Sequence, residues 1–307
     1  MSAPSKIRLA DALAWAVVVL VAIASAAGVL LPDLYRDNAA MIAQAQGSDL
    51  ATILVAVPLL LIGLWGAGHA APAASLEGRL TATETSASLT FGSWPLTPIT
   101  TGRLVAMGAL GFIAYTYAIY AFSVVINPAT PFHIAILSLS TWSLVLMLLG
   151  LDSAAIAQGI GARLPRLPSA AFLFASVALF ALTWSSGIAG AIVSGELPEA
   201  VTSLDLPTSP VYALDLAFAL PLLSVGGVLL VRRDRRGPAA AIALLTFVVI
   251  MGLAVLGSFG YAAVRAEPID PFVTGMFAII TGLAALLLAR GCWPMRRQRF
   301  RSQTAHI

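Results

Sequence analysis

Residues 211–236 read VYALDLAFALPLLSVGGVLLVRRDRR. Between 211 and 231 there is one charged side chain, Asp215; immediately afterwards Arg232, Arg233, Arg235 and Arg236 surround Asp234. About 20 apolar residues in a helix cross a hydrocarbon core. Backbone N–H and C=O groups cannot be left unpaired in lipid, so such a stretch is helical. The arginines behind it mark its cytoplasmic end.

Seven more apolar segments lie outward from it, at 11–31, 50–68, 104–126, 133–151, 170–195, 240–264 and 272–292. The expected fold is all-α, a polytopic membrane helix bundle of eight transmembrane spans. Composition points the same way: of 307 residues, 59% are hydrophobic and 10% charged, where a soluble domain carries roughly 25% charged. Mean hydropathy is +0.93.

The basic residues set the orientation. With a cytoplasmic N-terminus, the inside segments hold Lys6 and Arg8, Arg79 and Arg103, Arg163 and Arg166, Arg232, Arg233, Arg235 and Arg236, and Arg290, Arg296, Arg297, Arg299 and Arg301. Only Arg36 and Arg265, of 17 Lys+Arg, fall outside. Both termini are therefore expected in the cytoplasm. The same split accounts for the pI of about 9.3 without nucleic acid, leaving the bilayer and its anionic lipids as the expected partner. Lys6, Arg8, the apolar run and Ala24-Ser25-Ala26 also fit a signal peptide with its cleavage site, but the run continues through Gly28–Leu31, which favours a retained span.

The stretch that opened the reading has a counterpart. Asp215-Leu216-Ala217 matches Asp49-Leu50-Ala51, and Leu197-Pro198-Glu199 matches Leu31-Pro32-Asp33; both pairs stand 166 residues apart (49 to 215, 31 to 197). Pro58-Leu-Leu and Pro221-Leu-Leu follow the two aspartates, at a different spacing. Asn127-Pro-Ala-Thr-Pro-Phe132 also resembles Glu267-Pro-Ile-Asp-Pro-Phe272. Prolines and acids number 18 and 14, so these matches are not cheap. They predict a tandem 4+4 repeat, with a four-helix membrane repeat at 11–151, a second at 170–293 and a basic cytoplasmic tail at 294–307. Even-numbered halves insert the same way, giving a parallel repeat about the membrane normal. The competing reading is a bundle whose loops merely share turn chemistry.

Between the spans, residues 69–103, rich in Ala, Thr, Ser and Pro, read as a cytoplasmic loop with little core-forming material. Its Thr-rich stretch 81–90 reads as a short hairpin and Trp94 as an interfacial anchor. Residues 38–47 read as a short external helix, capped by Asn38 and stopped by Gly47.

Polar residues gather at the expected external side, where Asp49, Asp215, Tyr212, Tyr117, Tyr120, Arg36, His133 and Asn127 form a candidate polar cavity. Tyr115 shares span 3 with Tyr117 and Tyr120. Tyr212 precedes Asp215 by three residues, on one helical face. Ionisable residues inside a membrane are costly and point to function; in that reading the aspartates hold a cation or proton. Each also fits a helix cap, and capping is the favoured reading for Asp49. Arg36 fits a loop ion pair with Asp33 or Asp37, the tyrosines fit packing, and His133 fits a solvated or hydrogen-bonded loop residue. Pro58 and Pro221 are expected helix kinks.

Several chemistries lack their residues. One cysteine, Cys292, excludes a disulfide or thiol pair within the chain. Histidines at His69, His133 and His306, two of them cytoplasmic, argue against bis-histidine haem or a metal centre. Lys6, before span 1, is the only lysine, so none is buried for a Schiff base. No HExxH, GxSxG or Walker motif occurs, and Trp184-Ser-Ser-Gly187 has no base beside it. Neither a catalytic residue nor a cofactor is expected.

The run Tyr35-Arg36-Asp37-Asn38, Ala43-Gln44, Gln46-Gly47, Asp49-Leu50 and Pro58, with Leu214-Asp215-Leu216 and Pro221, resembles a family of uncharacterised bacterial multi-pass membrane proteins. The resemblance implies a bacterial inner membrane and carries no activity. Three functions stay in view. The first is a carrier or permease for a small solute or ion, entered from the external cavity. The second is a non-catalytic subunit or assembly factor holding other membrane subunits or a second copy. The third, and weakest, is an enzyme on lipid-linked substrates.

Overall fold

The computed structural model describes residues 3–31, 33–68, 97–150 and 164–292. Among these there is no strand, and eight helices are long and apolar enough to span a membrane: span 1 (Ile7–Leu30), span 2 (Ala39–Trp65), span 3 (Thr101–Ser123), span 4 (Thr130–Leu149), span 5 (Arg166–Ser194), span 6 (Pro210–Val231), span 7 (Gly237–Val264) and span 8 (Pro271–Cys292). The protein is an all-α polytopic helix bundle. The 81–90 stretch, Trp94, His69, His306 and the 294–307 tail lie outside the described residues.

Span 1 packs on spans 2 and 4, and span 3 closes that group by packing on spans 2 and 4. Span 6 likewise packs on spans 5 and 7, and span 8 on span 7 and lightly on span 5. Span 7 forms the seam between the groups, against spans 2 and 3. Arg8, Arg103, Arg166, Arg232–Arg236 and Arg290 stand at one end, called here the arginine-rich end. The connections around 33–38, 124–129, 195–209 and 265–270 form the other.

Two boundaries differ from the sequence reading. Asn38 does cap a helix, its side-chain oxygen accepting from the Met41 N–H at 2.9 Å. Gly47, however, does not stop it: the helix Ala39–Ala51 runs on through Thr52–Ala56 into Val57–Gly68. A Cβ at Gly47 would overlap the backbone of Gly257 and Ser258 on span 7. The glycine serves close helix approach, which membrane helices use where burial gives no driving force between them. At the other boundary the helix Thr97–Ser123 takes up 97–103, so those residues belong to a helix and not to the 69–103 loop.

Spans 2 and 6 share a local irregularity. Each contains one stretch of π-helix, Thr52–Ala56 and Asp215–Ala219, in which the Val57 and Leu220 N–H groups reach back five residues to Thr52 and Asp215. Each proline predicted to kink its helix follows two residues after such a stretch, Pro58 and Pro221. Proline has no N–H, and its ring crowds the carbonyl four residues back; a wider turn there relieves both problems, and the helix continues. The aspartates keep a different register, Asp49 lying before its π stretch and Asp215 opening its own.

Just inside the arginine-rich end, Arg103 donates to Asp11 at 2.8 Å, tying span 3 to span 1. This is the one ion pair among the described residues; the sequence marks Arg103 only as a basic residue of the cytoplasmic side.

Candidate functional site

Span 3 separates two polar sites. An α-helix turns about 100° per residue, so Tyr115 and Tyr117 stand roughly 200° apart while Tyr117 and Tyr120 share a face. Tyr117 and Tyr120 look into the first group of spans, Tyr115 into the second.

The first site is closed. Asp49, ten residues into its helix, is 1% exposed and accepts from the Tyr35 hydroxyl at 2.5 Å. It is not a helix cap, which corrects the favoured sequence reading: ten residues of helix precede it because Gly47 does not end the turn. Tyr35 comes from the connection between spans 1 and 2, and Gly28 leaves the room that Asp49 and the Tyr35 hydroxyl fill. Burial first, and the neighbouring carboxylate second, push the Tyr35 phenol far above its ordinary value, so it remains a donor. Ser25 and Tyr117 share a hydrogen bond of 3.0 Å, and Tyr120 donates to the Ala45 carbonyl at 2.7 Å. His133 is 1% exposed, its ring centroid 5.6 Å from that of Tyr117 and 5.1 Å from that of Tyr120. It is therefore a buried helical residue, not a solvated loop histidine, and its Nδ1 has no hydrogen-bond partner. The helix starts at Thr130, early enough to turn His133 inward.

The second site is open. Asp215 accepts from the Tyr115 hydroxyl and from the Trp184 indole N–H, each at 2.8 Å. It is no cap either: Ser209 caps that helix, accepting from the Tyr212 N–H, and Asp215 lies a turn further in. Trp184 stacks on Tyr212 with centroids 4.6 Å apart and on Phe180 at 5.7 Å. These groups line a cavity of about 790 Å³ together with Tyr115, Tyr120, Phe247 and Phe277, and with Glu199, Glu267 and Asp270 towards the arginine-poor end. On span 7 its lining runs from Ala262 down to Phe247, roughly 22 Å at 1.5 Å per residue in a helix of 28 residues.

Of the residues singled out in sequence, Asp215 and Tyr212 line the open cavity, and Tyr120, whose hydroxyl lies in the closed cluster, borders it as well. Asp49, Tyr117 and His133 lie in the closed cluster. Arg36 and Asn127 join neither. Arg36 is exposed and pairs with neither Asp33 nor Asp37; Asp37 accepts instead from the Val125 N–H at 3.0 Å. Asn127 orders its own turn, accepting from the Ala129 N–H at 2.8 Å.

Sequence reasoning passed over Phe180 and gave Trp184 and Ser25 no part in either site. Trp184 had a usable signal, since an indole far inside a span, away from the interface, needs a partner for its N–H. Among the described residues no three of His, Cys, Asp and Glu converge as a metal-binding set. No protein-family model, curated protein or solved structure matches this chain.

Proposed function

We propose that the protein is a carrier for a small solute, admitted from outside into the Asp215 cavity. The observation that carries this reading is the depth of that cavity, whose lining passes the midpoints of spans 5 and 7 to reach Ser176 and Phe247, ten residues from the arginine-rich end of each (166 to 176, 237 to 247). The proposal includes two four-span repeats, 11–151 and 170–293, in a bacterial inner membrane with both termini cytoplasmic. In its support, spans 1–4 and spans 5–8 pack in the same cyclic order, and spans 2 and 6 each pair an aspartate with a π stretch and a proline. The arginine distribution supports the orientation.

A second reading, a membrane subunit holding a partner or a second copy, draws on span 8, only 11% of whose apolar window is buried.

Access to the deep end of the cavity separates the two. In a Cys292→Ala background, Val248→Cys places a thiol on the cavity lining. Membrane-impermeant maleimide is added to each face of vesicles of known orientation. A carrier alternates its access, so labelling from both faces is expected. Labelling from the arginine-poor face alone would remove the carrier and favour the subunit.

A further inference from the structure

The Asp215 carboxylate stands in an unusual electrical setting. Both its donors, the Tyr115 hydroxyl and the Trp184 indole, are neutral. No lysine or arginine lines the cavity among the described residues, and Glu199, Glu267 and Asp270 add charge of the same sign at its mouth. A carboxylate within a membrane calls for a partner of opposite charge, and the protein supplies none there. Anionic solutes are repelled by the same arrangement.

The walls then say what kind of cation fits. Eight aromatic rings line the space, among them Tyr115, Phe180, Trp184, Tyr212, Phe247 and Phe277. Aromatic faces attract cations through their quadrupole, and such walls are a recurring device for quaternary ammonium groups. About 790 Å³ falls in the usual range of small-molecule pockets, about 300–1,000 Å³, and far exceeds a bare inorganic ion. No three-ligand metal set converges among the described residues.

The geometry points to a lipophilic organic cation as the occupant of this cavity, its amine or onium charge against Asp215 and its apolar substituents among the aromatic rings. The inference rests on reading the cavity as a solute entry and adds the class of solute. Tyr115 and Trp184 hold the carboxylate in place without neutralising it. The rim acids raise the local concentration of cations at the mouth.

Equilibrium binding of radiolabelled tetraphenylphosphonium to the full-length chain in phosphatidylethanolamine–phosphatidylglycerol nanodiscs tests it. The wild type is expected to bind, and neutral triphenylphosphine oxide, which carries similar rings without charge, is expected not to compete. Asp215→Asn should weaken binding by at least about tenfold, while Glu196→Gln, on the exposed connection after span 5, leaves it unchanged. If Asp215→Asn does not fold, Asp215→Glu should retain binding, and the comparison of charged with neutral probe on the wild type needs no variant. No binding by the wild type, equal competition by the oxide, or full affinity in Asp215→Asn would each overturn the proposal. Cation binding with Val248→Cys labelled from one face only would retire the carrier and leave the cation site. Two-sided labelling without preference for charge would do the reverse.

Discussion

Tyr115 and Tyr117 stand two residues apart on span 3 and serve different halves of the bundle: the Tyr115 hydroxyl donates to Asp215 at 2.8 Å, and the Tyr117 hydroxyl meets Ser25 at 3.0 Å. One helix thus supplies a phenol to each group of spans. Its opposite faces must each be matched to a polar partner, so span 3 tolerates little rotation about its own axis.

Tyr115→Phe removes one of the two donors to Asp215 and keeps the ring that packs on Phe247 at 5.8 Å. A hydrogen bond to a charged group contributes about 1.5–3 kcal/mol. Thermal unfolding in detergent should show a loss of that order with helix content unchanged. An unaltered midpoint would mean that water replaces the phenol.

Tyr35→Phe tests the closed site and carries a pH signature. Folding raises the Tyr35 pKa, so the protonated phenol favours the folded state. That contribution is complete below the unfolded value of about 10 and is lost as pH rises beyond it. Wild-type stability should therefore fall more steeply above about pH 10 than that of Tyr35→Phe. At neutral pH the variant should be less stable by about 1–3 kcal/mol, because Asp49 loses its donor. Parallel alkaline profiles for the two proteins would sink this account.

Two glycines make a matched pair. Gly47→Ala forces a Cβ onto the Gly257–Ser258 backbone, whereas a Cβ at Gly260 meets nothing within 4 Å. Overpacking costs about 1–3 kcal/mol, and glycine-to-alanine at an open helical position gains about 0.5–1 kcal/mol. Unfolding midpoints should move in opposite directions. The same direction for both would show that the seam between spans 2 and 7 yields.

Reporter fusions test the orientation. Those after residues 80, 160 and 235 and at the C-terminus should read cytoplasmic, and those after 40, 129, 203 and 268 external. One reversed site would break the eight-span arrangement.

The helical architecture was legible because the hydrocarbon core imposes length and apolarity on each span. Seven of the eight starts lie close to the apolar boundaries; span 2 begins well before 50, at Ala39. There Gly47 and the polar Gln44, Gln46 and Ser48 follow local rules for a helix end, and packing on span 7 overrides them. The roles of the acids were harder to read for a related reason. An Asp just before an apolar run looks like a cap until the true helix start is known. For Asp49 that start lies ten residues earlier, whereas Asp215, already four residues inside the apolar run that opens at Val211, lies five residues into its helix. His133 misled in the same way, since its solvation depended on a helix start that the apolar run does not mark. Trp184 and Tyr115 are 31 and 100 residues from Asp215 in sequence, a proximity that no single-chain periodicity encodes.

The π stretches carry a further consequence, for chain length. Each holds one residue more than an α-helical turn of the same rise, so Thr52–Ala56 and Asp215–Ala219 are single-residue insertions written into otherwise regular helices. Deleting one residue from Asp215–Ala219 would restore α-helical register and swing everything before it by about 100° against everything after. Tyr212 would leave the face of Trp184, and Pro221 would press on the carbonyl four residues before it. In spans 2 and 6 alike, then, the extra residue is what lets the proline sit in an unbroken helix, and deleting it would leave the ring pressed on that carbonyl.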